Sequence, residues 1–345
     1  GYHDQTQSIF ATAQLGWQSK LYLDVTGRID WSSALAWTET KSVAYPSVGL
    51  SAILTDLLPI RSDVLTFLKL RGSYSEVGNA PTRYIAYQTH PYQSGTPSTT
   101  STYPNSDIKP ERTKAWEVGL QSRFWGDKLA LNVSLYKTST FNQLFNPSLP
   151  SSSGYSSIYI NGGQVDNKGI EASLSLSQAL GPVEWNSTLT YTINRNKIKK
   201  LLKPTTLKDG LLVEQDMLDL DGVGNVKTRL FEGGSVGDLY VTALRTDEHG
   251  YIDVDYVNNT VSVDGNAGER GDGWIYAGNS QAKYTMGWRN SFSWKGLTLG
   301  FLINARVGGV CVSMTQALMD SYGTSKATAA VSYTHLRAHE TAANL

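Results

Sequence analysis

The chain has 345 residues, and its 30 Lys+Arg are balanced by 30 Asp+Glu, so no basic excess indicates a nucleic-acid partner. Only 17% of the residues are charged, below the roughly 25% of soluble domains, although Tyr and Trp are abundant. No run of about 18 apolar residues occurs, which excludes a transmembrane helix, and the single Cys311 excludes an internal disulfide.

Apolar and polar residues alternate along most of the chain, which is the pattern of a strand with two different faces. The predicted strands are about 10–14 residues long, whereas soluble strands cluster near 5 or 6. A tilted membrane strand needs about 9–11 residues to cross the hydrocarbon. The alternation is weaker at 11–17, 21–31, 48–54, 68–74 and 116–124, and strong at 129–135, 170–177, 183–194, 283–294 and 297–307.

Short and long connections alternate between these strands. The short ones lie at 18–20, 126–127, 181–182 and 295–296, and the segment 56–63 falls where another is due. The long ones lie near 33–45, 77–111, 142–165 and 197–280. Membrane barrels alternate short periplasmic turns with long extracellular loops in this way. The predicted fold is therefore all-β: about ten strands of a transmembrane antiparallel β-barrel.

Tryptophan residues occupy the apolar positions of the predicted strands, near strand ends, as the aromatic girdles of a membrane barrel require. A soluble all-β core would also use tryptophan, so this alternative stays open. Lipid forbids an open sheet edge, so we expect further strands to complete the barrel. The tryptophans in question are Trp17, Trp31, Trp116, Trp185, Trp288 and Trp294.

Several segments resemble motifs of the SusC/RagA family of TonB-dependent outer-membrane transporters. Residues 107–120 are similar to the family's "NPDLKPE-T-EIGL" segment, and residues 161–171 to its "N-G-x-x-x-NKGvE" strand. Similar matches occur at 45–51, 70–79 and 278–287, although Ser280-Gln281-Ala282 replaces the family's usual proline. The resemblance covers residues 8–325, and the order and spacing of the motifs make it specific.

The resemblance implies a location in the outer membrane of a Gram-negative, Bacteroidetes-like bacterium. It implies a barrel of about 22 strands, of which residues 1–330 supply about half. It also implies a SusD-like surface lipoprotein partner and a TonB complex that acts on a plug region. We expect the plug and the final strands to lie outside this sequence, because the chain opens without a signal peptide.

The last residues, 331–345, break the alternation and match no family strand. They look like the translation of a sequencing adapter, so we expect a non-native tail there. His335, His339 and Glu340 within it could suggest zinc, but no third ligand is apparent. This segment is excluded from the fold prediction.

Nothing in the sequence favours an enzyme or a cofactor, because the other histidines are scattered and no nucleophile elbow or P-loop occurs. Asp219 and Asp221 are weak calcium candidates, since the position of the EF-hand's bidentate glutamate is occupied by Leu230. We predict ligand contacts in the long loops, where aromatic rings lie near polar residues and could stack on sugars. The candidates are Tyr155, Tyr159, Trp274 and Tyr276.

The leading hypothesis is energised import of an oligosaccharide or a peptide across the outer membrane. A passive porin and a soluble all-β binding module are the alternatives. A TonB box and a plug would distinguish the first from the second, and extraction that requires detergent would exclude the third. The sequence does not select among starch fragments, other glycans and peptides as the substrate.

Overall fold

The structure is a computed structural model. It describes residues 3–58, 60, 62–87, 92–93, 95–97, 101–147, 149, 151–201, 205–206, 210, 212–213, 216–223, 225–255, 257–258 and 260–326, so the predicted tail 331–345 lies outside the described residues. Within these ranges, no helix combines the length and the apolar character that crossing a bilayer would demand.

The described chain is mostly β-strand, with two short α-helices, α1 (Leu54–Leu57) and α2 (Met314–Ser321), and 3-10 turns at Ser33–Leu35 and Ser151–Ser153. In chain order the strands are β1 (Thr6–Trp17), β2 (Leu21–Ser32), β3 (Ser42–Ile53), β4 (Leu65–Asn79), β5 (Tyr92–Gln93), β6 (Thr96–Pro97), β7 (Thr102–Tyr103), β8 (Glu111–Phe124), β9 (Leu129–Phe145), β10 (Ser157–Ile158), β11 (Ile160–Leu180), β12 (Val183–Lys200), β13 (Thr205–Thr206), β14 (Leu212–Val213), β15 (Met217–Val223), β16 (Val226–Phe231), β17 (Asp238–Thr242), β18 (Val254–Asp255), β19 (Thr260–Val261), β20 (Trp274–Asn279), β21 (Tyr284–Trp294) and β22 (Leu297–Val307).

Ten long strands form one antiparallel sheet, which we call the wall. Its order is β1-β2-β3-β4-β8-β9-β11-β12-β21-β22, so each long strand pairs with the next one along the chain. The connections at 18–20, 125–128, 181–182 and 295–296 are short and lie at one end of the wall, and those at 80–110, 146–159 and 201–283 are long and lie at the other, as the sequence predicted. The connection between β3 and β4 departs from this rule, because residues 54–64 contain α1 and form a longer segment than the 33–41 connection. The predicted partial β-barrel is confirmed, and the sheet does not close on itself.

The two faces of the wall are distinguished by their exposure. In β3, exposed Val48 and Leu50 alternate with half-buried Ser47, Gly49 and Ser51. We call the apolar side the outer face and the polar side the inner face. A soluble protein buries its apolar residues, and this sheet does the opposite, as a wall that meets lipid must. Other large exposed residues of the outer face are Trp116 (60% exposed), Val118 (54%), Leu135 (51%), Ile170 (40%) and Leu174 (39%).

Aromatic residues mark both ends of the outer face. Trp17 and Trp294 lie at the end with short connections, and Trp116 lies toward the other end, with its ring centroid 4.4 Å from that of Tyr74. Beyond Trp116 on the same face, Glu76 forms an ion pair with Arg112. In a membrane barrel, aromatic rings lie at the level of the headgroups and charged residues lie beyond them in water. The outer face of the wall shows the same order.

The long connection between β12 and β21 folds into a second sheet, which we call the loop sheet. It is antiparallel with the order β15-β16-β17-β20. A buried apolar cluster fixes it to the tops of β9, β11 and β12, and the Ile198 N–H donates to the Gly234 carbonyl across 2.9 Å. The cluster contains Phe145, Ile158, Ile160, Val165, Ile198, Leu201, Leu218 and Leu230.

Candidate ligand-binding site

The loop sheet encloses a cavity of about 170 Å³ among aromatic and charged side chains. Strand pairing creates this arrangement, because Lys227 of β16 lies opposite Tyr240 of β17, which lies opposite Tyr276 of β20. Arg229 is two residues after Lys227 in β16, and Trp274 is two residues before Tyr276 in β20. Their side chains therefore lie on the same face of the loop sheet, because side chains two residues apart in a strand point the same way. Asp272 completes the lining from the turn before β20.

Arg229 lines the cavity with a side chain that is only 5% exposed. Its Nε lies 3.0 Å from Asp219 Oδ1 and its Nη1 lies 2.6 Å from Asp272 Oδ2. The guanidinium carbon lies 5.3 Å from the ring centroid of Trp274 and 5.6 Å from that of Tyr240. Two carboxylates and two aromatic rings therefore compensate the buried charge.

The titratable groups of the cavity are tuned by burial and by charge. Burial alone would raise the pKa of Asp272, but the hydrogen bond and the charge of Arg229, together with backbone hydrogen bonds, outweigh it, and the pKa is lowered. Burial and the negative charge of Asp238 raise the pKa of Tyr276. The cavity thus presents an ionised carboxylate and a neutral phenol, whose hydroxyl donates to Asp238, beside rings that pack edge to face.

The structure divides the four predicted ligand-binding residues between two places. Trp274 and Tyr276 line the loop-sheet cavity together. Tyr155 packs edge-on against Tyr103 at a centroid distance of 5.2 Å, and Tyr159 lines a separate pocket. Trp274 and Tyr276 lie together, the four residues do not form one cluster, and their role in ligand binding stays a prediction.

A second aromatic group was not predicted from the sequence. Trp37 stacks on Tyr87 at 5.1 Å and lies 6.4 Å from Tyr84, and both tyrosines line the same pocket as Tyr159. Tyr84 has a φ of +64°, a left-handed backbone that is uncommon for a bulky residue. These rings come from different long connections, so no sequence periodicity could have grouped them.

Asp219, one of the two calcium candidates, already has cationic partners. The carboxylate of Asp219 is paired with Lys227 and Arg229, so two positive charges already occupy the position that a metal ion would take. The backbone of Asp221 lies in β15, but its side chain is outside the described residues. In the part of the chain that the structure describes, no group of three acidic, His or Cys side chains could hold a metal.

The inner face of the wall is polar and carries paired charges. Arg71 forms an ion pair with Glu117 at 3.0 Å and donates to Ser134 Oγ at 2.5 Å, and these residues come from three adjacent strands. A cavity of about 280 Å³ opens beside Glu117, Tyr136 and Glu171. A surface of this chemistry suits water and polar solutes and not lipid.

These features define the class of protein: a segment of a membrane-spanning β-barrel whose long connections carry structured loops. The description "TonB dependent receptor-like, beta-barrel" belongs to the family whose model matches residues 1–304. The chain belongs to this family, and the resemblance to TonB-dependent transporters is confirmed. Members of the family reside in the outer membrane.

Two relatives from Formosa agariphila are TonB-dependent receptors. TonB-dependent receptor P26 is 26% identical over 329 residues, which cover 88% of this chain and 32% of the relative. TonB-dependent receptor P3 is 26% identical over 345 residues, covering 91% of this chain and 33% of the relative. The chain therefore spans about a third of the length of the curated relatives it matches.

Solved structures agree on the fold. The RagAB peptide transporter superposes with a TM-score of 0.68 at 23% identity, covering 88% of this chain and 34% of that chain. The outer membrane transporter YddB from Escherichia coli gives a TM-score of 0.50 at 11% identity, covering 90% of this chain and 35% of that chain. At these identities the likeness concerns architecture alone.

Proposed function

We propose that this chain is the barrel-wall segment of a transporter that imports an oligosaccharide or a peptide across the outer membrane with energy delivered through TonB. One observation carries the proposal: the apolar outer face is exposed, while the inner face is polar and carries charges. Such a wall separates lipid from a wet interior. The aromatic and ionic cavity of the loop sheet supplies a place for a ligand at the end with long connections.

A SusD-like surface lipoprotein is the proposed partner at that end, where it would cap the loops and deliver the ligand. The structured loop sheet supports this part of the proposal, because a fixed surface can dock a partner with little loss of conformational entropy. TonB would act on a plug region outside this chain. Residues 1–330 are proposed to be native barrel, and 331–345 an added tail, which sequencing of the genomic locus would test.

The test is uptake by cells that express the full-length receptor containing this segment. Isotope-labelled starch fragments and peptide mixtures are supplied to wild-type cells, to cells lacking the receptor, and to wild-type cells treated with a protonophore. Accumulation of one ligand class should require both the receptor and the proton gradient. Accumulation that requires neither the receptor nor the proton gradient would contradict the proposal.

A passive porin is the second candidate, since a polar inner face suits diffusion as well as active import. The same assay separates the two, because a porin needs no gradient. Purified receptor in a planar bilayer should then show stable open conductance, whereas a plugged transporter should remain closed. The exposed apolar outer face and the family membership do not support a soluble binding module.

A further inference from the structure

A cleft lies where β12 extends beyond the end of its partner strand, β21. The pairing of β12 with β21 ends at Thr192 opposite Thr285, but β12 continues to Lys200. The chain returns from the loop sheet through residues 279–283, which face this upper part of β12. Between the two lies a cavity of about 370 Å³ at the end of the wall with long connections. We call it the amide cleft, because Asn194, Asn196, Asn279 and Gln281 line it.

Two of these amides carry buried atoms without a hydrogen-bond partner. Asn194 Oδ1 and Asn196 Nδ2 are both inaccessible and unbonded in the described structure. Asn196 cannot simply turn, because its Oδ1 accepts from Ser235 Oγ at 2.5 Å and from the Val236 N–H at 3.1 Å. Buried polar groups without partners are costly and rare. An acceptor oxygen and a donor nitrogen, two residues apart on one strand, thus lie unpaired in the wall of the cleft.

The main chain of β12 points into the same cleft. In an antiparallel strand, alternate residues direct their N–H and C=O groups to the same side. The Ile198 N–H bonds to Gly234 on the side away from β11, so the backbone groups of Asn194 and Asn196 face that side too. Arg195 Nη1 joins the two walls of the cleft, at 2.9 Å from the Asn194 carbonyl and 2.7 Å from the Lys283 carbonyl.

We propose that the amide cleft binds the main chain of an extended peptide substrate. A strand edge gives affinity for peptide backbone through N–H and C=O pairing, and the amides of Asn and Gln can each donate and accept. The lining contains no aromatic ring on which a sugar could stack and no carboxylate. Arg195 and Lys283 add positive charge, which suits acidic side chains or a terminal carboxylate. This inference rests on the proposed import function and specifies its ligand.

The test uses the purified full-length receptor in detergent with a tryptic digest of casein. Peptides retained by the receptor are identified by mass spectrometry, and the Kd of one of them is measured with a synthetic copy. The double variant Asn194→Ala/Asn196→Ala should weaken binding by roughly ten- to a hundredfold, because several hydrogen bonds are lost. Asn186→Ala, an exposed asparagine on the same face of β12 below the cleft, is the matched control and should change Kd less than about twofold.

The chemistry of recognition provides a second readout. A synthetic peptide N-methylated at its central residues should lose most of its affinity, while a scrambled peptide of equal composition should keep it within a few fold. If the double variant fails to fold, as judged by heat-modifiable gel mobility, Gln281→Ala in the return segment serves instead. Its expected loss is about three- to tenfold.

Failure of this inference can be told apart from failure of the import function. Energised uptake of oligosaccharides, with no peptide retained, would overturn the peptide cleft and leave the import function intact. Unchanged Kd in both cleft variants would overturn it as well. Absence of energised uptake of either ligand class would remove the import function, and the cleft assignment with it.

Discussion

Arg229 is the residue whose removal should most disturb the loop sheet. Its buried guanidinium joins Asp219 of β15 to Asp272 before β20, so it connects opposite edges of that sheet. Arg229→Met keeps the apolar volume but leaves Asp272 without its cation and Asp219 with Lys227 alone. We expect the loop sheet to lose about 2 kcal/mol, less than for a fully buried pair, because the carboxylates are partly exposed. Limited proteolysis within 216–279 measures the loss.

Arg270→Met is the matched control. Arg270 also pairs with a carboxylate, at 2.8 Å from Asp216, but both side chains are exposed. An exposed pair contributes little to stability. Protease resistance should therefore stay near that of the parent protein. Equal protease sensitivity of the two variants would show that burial of Arg229 does not increase its contribution to the stability of the loop sheet.

Lowering the pH should weaken the contact between Arg229 and Asp272. The pKa of Asp272 is lowered in the folded state, because Arg229 and backbone hydrogen bonds together outweigh the opposing effect of burial. A lowered pKa stabilises the fold above the carboxyl's unfolded value near pH 4, and the contribution disappears as pH falls through the folded value. Pepsin cleavage within 216–279 should thus rise below about pH 4 in the parent protein. Arg229→Met should show a smaller rise, and an equal rise would exclude Asp272 as the cause.

At the scale of the strand, neighbouring positions should differ sharply in their tolerance of charge. Leu174 lies on the outer face of β11 between Leu131 and Leu189, whereas Ser175 faces inward with its Oγ 3.2 Å from that of Thr188. In the full-length receptor, Leu174→Arg should cost about 2–4 kcal/mol of folding free energy, and Ser175→Arg far less. Urea titration of the receptor in lipid vesicles measures both. Equal costs would remove the distinction between a lipid face and a water face.

A glycine in the same strand illustrates close packing across the inner face. A Cβ on Gly169 would strike the Tyr136 ring and lie 2.5 Å from the Ile193 carbonyl oxygen, so the Tyr136 ring covers this position. Gly169→Ala should destabilise the full-length receptor by about 1–3 kcal/mol through overpacking. Gly27→Ala is the control, since a Cβ there meets nothing within 4 Å. The temperature at which each variant loses heat-modifiable mobility ranks them, and similar temperatures would contradict the packing argument.

The sequence predicted the strands of the wall where contact with lipid imposes an alternation of apolar and polar residues. It predicted the strand ends less well, because residues outside the hydrocarbon do not follow that alternation. Strand β11 begins at Ile160, inside a segment that was expected to be a long connection. The sequence did not predict this part of the strand, because the outer face above Ile170 carries the charged residues Lys168 and Asp166. Outside the hydrocarbon an outer residue need not be apolar, so the alternation stops before the strand does. The predicted strand ends were therefore wrong by several residues.

The loop sheet was predicted only as a long connection. Its strands are short, and their shared face carries charges and rings together, so no alternation of apolar and polar residues marks them. Trp274 and Tyr276 were recognised by residue type alone. Arg229 was not, because its contact with Asp272 joins residues far apart in the sequence, and only the fold brings them together.

At the scale of the whole molecule, the wall is an incomplete structure. Strands β1 and β22 stand at the two ends of the sheet, and every residue of both is exposed. Their outward backbone groups would be costly in lipid, where no water can satisfy them. The ten strands therefore depend on further strands to close the barrel.

This dependence predicts how the chain behaves when it is produced by itself. Refolded into detergent micelles, it should associate through the edges of β1 and β22, because unpaired strand edges template pairing with other copies. Size-exclusion chromatography should show assemblies larger than a monomer, and gel electrophoresis should show no heat-modifiable monomer. The full-length receptor, treated identically, should give a heat-modifiable monomer. A monomeric, heat-modifiable product from this chain alone would mean that ten strands can close without help, and the exposed edges would then need another explanation.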